Sequence, residues 1–267
     1  MQLASIQHRD FAVSEKQLRI RMKSVNSIRK ITKAMKMVSA SKMKQDLARL
    51  QAGRNFGANA VDMMFKSDQY MQRQMGNEPS DPVQVIVPIT SDKGLCGAVN
   101  SSIVREVKKM AKDINRSKTT IFSIGDKGSV GMLRPFPDML KTSISQVGTP
   151  YNYPTIMAMA VHITHMSKDA DKVIVMYNEF KSAISYVTRH LELLPQRRFL
   201  EATRFGKLYD QKLPDKNTSN PALYELYLTS NLWVAFLNNA ASEQSARMNA
   251  MENASKNAKE ILEGLTL

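Results

Sequence analysis

The distribution of apolar positions divides this chain into two long helical stretches with a different texture between them. Near the start, Leu18, Met22, Val25, Ile28, Ile31, Met35, Val38, Leu47 and Leu50 recur mostly three and four residues apart. That period belongs to an α-helix. Ser14 followed by Glu15 reads as an N-cap with an acid in the first turn. No proline follows before Tyr70, and only Gly53 and Gly57 interrupt. The pattern predicts one helix from Ser14 to about Tyr70, a rod of about 80 Å at ~1.5 Å per residue. That is too long for a compact domain.

The far end mirrors it. From Pro221, a suitable first helical residue, a three-four alternation runs through Leu223, Tyr227, Ser230, Val234, Leu237, Ala241, Gln244, Met248, Met251, Ser255, Ala258, Leu262 and Leu265. Ten of these thirteen positions are apolar, which makes them a coiled-coil seam. The first helix is available as the partner. The seam is still in phase at Leu265, so the helix is expected to continue past Leu267.

Between the rods, "NEPSDP" is a linker, and after it strand-like and helix-like runs alternate. "VQVIVPIT", "TTIFSIG", "LKTSISQV" and "KVIVMYNEF" read as strands, and "SAISYVTRHLELLP" as an antiparallel return. "AVNSSIVREVKKMAKDI" and "TIMAMAVHITHMSK" read as helices, with "DKGSVGMLRPF" a short helical turn. Such alternation argues for a mostly parallel sheet covered on both faces. The expected architecture is α/β, with residues 1–76 as the outgoing rod, 77–220 as an inserted α/β domain and 221–267 as the returning rod. Because the chain leaves along one rod and returns along the other, the pair is expected to be antiparallel.

Charge adds an expectation about partners. The net charge is +14, and residues 1–54 hold thirteen Lys and Arg against three Asp and Glu. From Lys16 to Lys44 there are ten basic residues and no acid. Such a block seeks an anionic partner: nucleic acid, lipid headgroups or an acidic protein surface. No run of about 18 apolar residues is available to span a membrane. The single cysteine excludes an internal disulfide or a multi-cysteine zinc site.

Candidate chemistry is sparse. Cys96 sits in the turn "TSDKGLCGAVN" with Lys93, Gly94 and Gly97, between a strand and a helix, but no histidine lies near it in sequence. A catalytic cysteine needs such a base, so Cys96 is expected to be a small residue packed at a corner. "GLCG" lacks the spacing of a phosphate-binding P-loop. "GDKGSVG" has the wrong spacing for a dinucleotide fingerprint, with no acid where a ribose would need one. His162 and His165 are three apart on a predicted helix, without a second pair of ligands. No catalytic, metal or cofactor site is expected.

Three segments together resemble the gamma subunit family of the rotary F-type ATP synthase. They are "RMKSVNSIRKITKAMKMVSASKMK" (21–44), "SDKGLCGAVNS" (91–101) and "SEQSARMNAMENASKNAKEIL" (242–262), in the family's order. The wording "SEQSARM" is more similar to mitochondrial members. The chloroplast form's regulatory cysteine pair has no counterpart in a one-cysteine chain. The resemblance implies a shaft: an antiparallel coiled coil of the terminal helices with an inserted Rossmann-like α/β domain as its foot. It implies a non-catalytic rotor subunit without a cofactor, peripheral to the matrix side of the mitochondrial inner membrane. The implied partners are three alpha and three beta subunits, the delta and epsilon subunits of the central stalk, and the membrane ring of c subunits. Proton flow would turn ring and shaft, and an acidic loop of each beta subunit would press on the basic block. The positions that carry over as contacts with the alpha–beta hexamer are Arg29, Lys30, Lys33, Met35 and Lys36, then Lys93, Gly94, Leu95, Cys96 and Gly97, then Arg247, Met248 and Met251.

Two other readings stay open on the residues alone. One is a basic coiled coil that grips nucleic acid through phosphates, a partner the resemblance excludes. The other is a nucleotide-binding α/β enzyme. About a dozen residues precede the family's usual start and resemble a transit-peptide remnant only weakly.

Overall fold

The computed structural model describes residues 15–54, 79–201 and 216–266, without the side chains of 201 and 216–220. The first long helix, α1, spans Glu15–Gly53 and the last, α6, spans Lys216–Thr266. The two pack along their lengths in antiparallel register, with Lys36 Nζ 3.1 Å from Glu252 Oε2 and Leu50 clustered with Leu237 and Ala241. The expected cap at Ser14, the stretch of the first helix from 55 to 70 and the opening of the linker lie outside the described residues. The helix α6 begins at Lys216, five residues before the expected start, so Pro221 stands inside it. Its interior position removes one amide donor from the first turns.

None of the thirteen expected seam positions on α6 is exposed, but Leu223 and Tyr227 pack into the core of the foot, whereas Leu237 and Ala241 meet Leu50 of α1. On α1 the buried stripe runs differently from the expected one. Leu18, Met22, Val25, Met35, Leu47 and Leu50 are half-buried or buried, but Ile28, Ile31 and Val38 are each more than half exposed. Thr32 and Ser39 are buried in their place. Thr32 Oγ1 turns back to the carbonyls of Ile28 and Arg29, at 3.0 and 3.1 Å, so its hydroxyl is satisfied within the helix. Small residues at the contact bring the helices close, and the bulkier neighbours are left facing outward.

The foot is a five-stranded sheet in the order β3-β2-β1-β4-β5. Its strands are β1 (Gln84–Pro88), β2 (Thr119–Ile124), β3 (Leu140–Ile144), β4 (Lys172–Ser182) and β5 (Ser185–Leu193). All neighbours are parallel except β5, which returns along β4 as a hairpin. A 3-10 turn, Arg116–Lys118, leads into β2. Helices α2 (Val99–Met110) and α3 (Asp126–Leu133) cover one face. There Ile86, Ile121, Ile174 and Met176 meet Ile103, Val107 and Met132. Helix α4 (Tyr153–Met166), the short α5 (Gln196–Glu201) and α6 cover the other. There Val85, Val87, Phe122 and Val175 meet Ile156, Ile163, Phe199, Leu228 and Phe236. The apolar run "VIVPI", residues 85–89, is explained by burial on both faces. Gly125, at φ 94°, turns β2 into α3 against Thr90, whose carbonyl a Cβ would strike.

Foot and shaft meet at Asn178, fully buried on β4. Its Nδ2 donates to the Val99 carbonyl at 2.8 Å and to Asn239 Oδ1 at 3.3 Å. Its Oδ1 accepts from Ser102 and Thr188, at 3.2 and 2.9 Å, and its carbonyl accepts from Ser242 Oγ at 3.0 Å. One side chain thus joins α2, β5 and α6 in the dry interior. Asn178→Ala strands several of these groups without partners. We expect it to lower stability by about 2–3 kcal/mol, given ~1–3 kcal/mol for each buried group left unsatisfied. Urea unfolding of the chain measures this, and a midpoint shift within error would show that the hub is redundant.

Candidate partner-contact site

The loop after β1 is held by side chains on either side of it. Ser91 N donates to Asn100 Oδ1 at 2.9 Å, and Asn100 Nδ2 donates to Ser91 Oγ at 2.8 Å. Ser91 Oγ in turn donates to the Lys93 carbonyl at 2.8 Å. Asp92 Oδ1 accepts from the Asp126 amide at 3.0 Å, which tethers the loop to the start of α3. Leu95 adopts φ 59° and Gly97 φ 60°. The left-handed conformation is ordinary for glycine but costly for leucine. The result is that the Leu95 side chain stands 65% exposed while Cys96 turns inward.

Cys96 is buried with Val99 and Ala246, and half-buried Tyr186 packs against the group. Asn100 Nδ2 lies 3.3 Å from its sulfur. Burial pushes the thiol above its usual range, with the Glu243 carboxylate nearby adding to the effect and Ser91 opposing it. A thiol held protonated and shielded is a poor nucleophile, in keeping with the corner role expected from the sequence.

The opposite wall comes from the shaft. Arg247 and Glu243 are both buried on α6 and joined at 2.5 Å. Arg247 also donates to Gln244 Oε1 at 3.2 Å and to the Gly94 carbonyl at 3.3 Å. Burial pushes the Glu243 carboxyl up, and the Arg247 guanidinium pulls it back. Between α1, this loop and the segment 146–149 lies a groove of about 930 Å³. Ile31, Met35, Val38 and Leu95 give it apolar walls, and Lys42, Lys93 and Lys127 line it with positive charge.

The residues singled out from the sequence therefore fall on two sides of the shaft. Met35, Lys93, Gly94, Leu95 and Arg247 line the first groove. Arg29, Lys30, Lys33 and Lys36 line a second, of about 550 Å³, with Glu252, Lys256 and Lys259 across from them. Lys36 is already paired with Glu252, whose carboxyl it holds below the usual range. Cys96 and Met251 are buried, Met248 is half-buried against the seam, and Gly97 is exposed. Sequence reasoning missed Glu243, Lys42 and the segment 146–149, which no local pattern ties to the shaft.

The foot also resembles nucleotide-binding sheets in topology. Its strand order reverses between β1 and β4, where such sheets take ligands at the carboxyl ends of the strands. Here α6 runs through that crevice. Asn239, Ser242 and Arg247 bond to Asn178 at β4 and Gly94 after β1.

A family model described as ATP synthase matches residues 14–267. The chain belongs to the ATP synthase gamma subunit family. It is 30% identical over 257 residues to the mitochondrial ATP synthase F(1) complex gamma subunit of Dictyostelium discoideum, covering 94% of this chain and 83% of that one. The mitochondrial gamma subunit of Ipomoea batatas is 34% identical over 269 residues, covering 96% and 78%. Among solved structures, the central stalk and c-ring of the Tetrahymena thermophila mitochondrial ATP synthase contains a chain 47% identical to this one. The match has a TM-score of 0.73 and covers 84% of this chain and 99% of that one. The rotor of the Euglena gracilis enzyme shares the fold at 20% identity and a TM-score of 0.71.

If Cys96 is a corner residue, it should react with a chromogenic thiol reagent only as fast as the chain unfolds. Rapid modification of the native protein, followed in a stopped-flow spectrometer, would instead mark an accessible thiolate.

Proposed function

We propose that this chain is the central rotor shaft of a proton-driven ATP synthase, at the matrix face of the mitochondrial inner membrane. The supporting observation is the shape of the molecule: an antiparallel two-helix rod rooted in an α/β foot, shared with a central-stalk chain at 47% identity. Rotation of the membrane ring enters at the foot and leaves through the rod. There the coiled coil drives the beta subunits through their nucleotide states. The domain division expected from the sequence goes with this reading, 1–76 and 221–267 as shaft and 77–220 as foot, with helix α6 beginning five residues inside the foot at Lys216. Partners are the alpha and beta subunits, the delta and epsilon stalk subunits and the c-ring.

The chain itself is non-catalytic. Its thiol is shielded, and the crevice where a nucleotide would lie carries its own helix. Among the described residues no group of acids, histidines and cysteine is placed to hold a metal ion. No described helix is long and apolar enough to cross a membrane.

The two grooves are the contact surfaces with the hexamer. Exposed Leu95 and the apolar walls at Ile31 and Val38 receive a partner's apolar residues, while Lys93 and the Arg29–Lys33 face attract its acids. Lys36 contributes less, because Glu252 already neutralises it.

Two measurements check this. A tagged chain expressed in its own cells should recover alpha and beta chains, three of each per copy; recovery without them would reject the reading. In addition, Arg29→Glu, Lys30→Glu and Lys33→Glu together should impair ATP-driven proton pumping, more at low salt than at high. Any one reversal should do little, since an exposed pair is worth about 0–1 kcal/mol. Unchanged pumping by the triple variant at low salt would remove the electrostatic role of this face.

A further inference from the structure

A shaft turned by its foot needs a join that resists rotation about the helix axis. Apolar side chains interlocked with their neighbours already oppose axial rotation. Directional hydrogen bonds fix the angle. The two helices differ sharply here. Helix α6 packs on α2, α4, α5, β4 and β5, and from Tyr227 to Arg247 nearly every side chain is buried. Helix α1 packs chiefly on α6 and meets the sheet low down, where Leu47 and Leu50 cluster with Phe180. Higher up, the 930 Å³ groove separates α1 from the loops of the foot.

Around α6 the foot places three sets of bonds, the second and third at the same height on different sides of the helix. At the level of β4, Asn239 accepts from Asn178, and Ser242 donates to the Asn178 carbonyl at 3.0 Å. At the tip of the β4–β5 hairpin, one carbonyl, that of Ala183, accepts from both Ser245 Oγ at 2.7 Å and Asn249 Nδ2 at 2.8 Å. That tip is stiffened by a 2.8 Å contact between the Ser182 and Ser185 hydroxyls. From the other direction, Arg247 reaches the Gly94 carbonyl at 3.3 Å. At 3.6 residues per turn, Arg247 projects roughly 140–160° around the helix from Ser242 and Ser245. The bonds therefore grip α6 from opposed sides, and together they oppose rotation in either sense.

We infer that torque passes between foot and shaft through α6, by a polar clamp in which the β4–β5 hairpin tip holds Ser245 and Asn249, with α1 carried along on α6. This rests on the rotor reading above. Ser245 and Asn249 are positioning residues: they lie outside both contact grooves, and their bonds are directed within the chain.

The test is Ser245→Ala with Asn249→Ala in the assembled, membrane-bound enzyme, recording ATP hydrolysis and proton pumping in the same membranes. The clamp predicts normal assembly and continued hydrolysis, with fewer protons moved per ATP as the shaft slips in its socket. A merely structural role would lower hydrolysis and pumping in proportion to the enzyme assembled. An unchanged ratio would overturn the clamp. If the double variant fails to assemble, Asn249→Ala alone decides it: its bond lies near the surface, and it should show a smaller loss of the same kind. A parental chain that assembled with no alpha and beta subunits would sink the rotor reading itself, an outcome distinct from an intact, fully coupled variant.

Discussion

Everything in this structure depends on the burial of one helix on more than one side. Between Tyr227 and Arg247, α6 is at once the second strand of a coiled coil and a core helix of the α/β foot. A lone two-helix rod of this length would be held by its seam only. Here Leu228, Leu232 and Phe236 are fully shielded against the sheet and α4, while Leu237 and Ala241 meet Leu50 on the opposite side. Burial of this kind stabilises at about 25 cal/mol per Å² of apolar surface. The same helix thereby ties two structural units into one.

That double duty explains the polar residues that α6 buries. Asn238, Asn239, Ser242, Glu243, Ser245 and Arg247 lie in the interior, which is costly unless each finds partners. Asn239, Ser242, Ser245 and Arg247 find them on the foot, at Asn178, the Ala183 carbonyl and the Gly94 carbonyl, while Asn238 donates to the Val234 carbonyl of its own helix and accepts from the Phe180 amide. These directional bonds add to the interlocking of the apolar side chains in fixing the height and angle of the helix. The buried pair of Glu243 and Arg247 belongs to the same arrangement, one charge offsetting the other beneath the Lys93–Gly97 loop.

The outer surface of α1 follows an opposite logic. Ile28, Ile31, Met37 and Val38 are left exposed beside Arg29, Lys30 and Lys33. Exposed apolar residues among cations that pair with nothing among the described residues are a poor solution for a free rod and a suitable one for a rod that is enclosed by partner subunits. Leu95, held in a left-handed conformation with its side chain outward, extends that surface onto the foot.

Much of this was legible from spacing. The seam on α6 needed only a three-four alternation, and a mostly parallel sheet with an antiparallel return strand was implied by alternating strand-like and helix-like runs, because both patterns record local periodicity against a buried face; the order of the strands was not. The Cys96 corner was readable from glycine placement and the lack of a nearby base. What periodicity could not decide was which of two adjacent stripes on α1 turns inward. Ile28, Ile31 and Val38 have the right spacing, yet Thr32 and Ser39 hold the contact, because close packing of two helices is settled by the shape of both surfaces together. The grooves, the Asn178 hub and the grip on Ala183 were invisible for a related reason. The hub ties Asn178 to Asn239 and Val99, 61 and 79 positions away, and the Ala183 carbonyl meets residues 62 and 66 positions away; only the path of the folded chain brings them to one place.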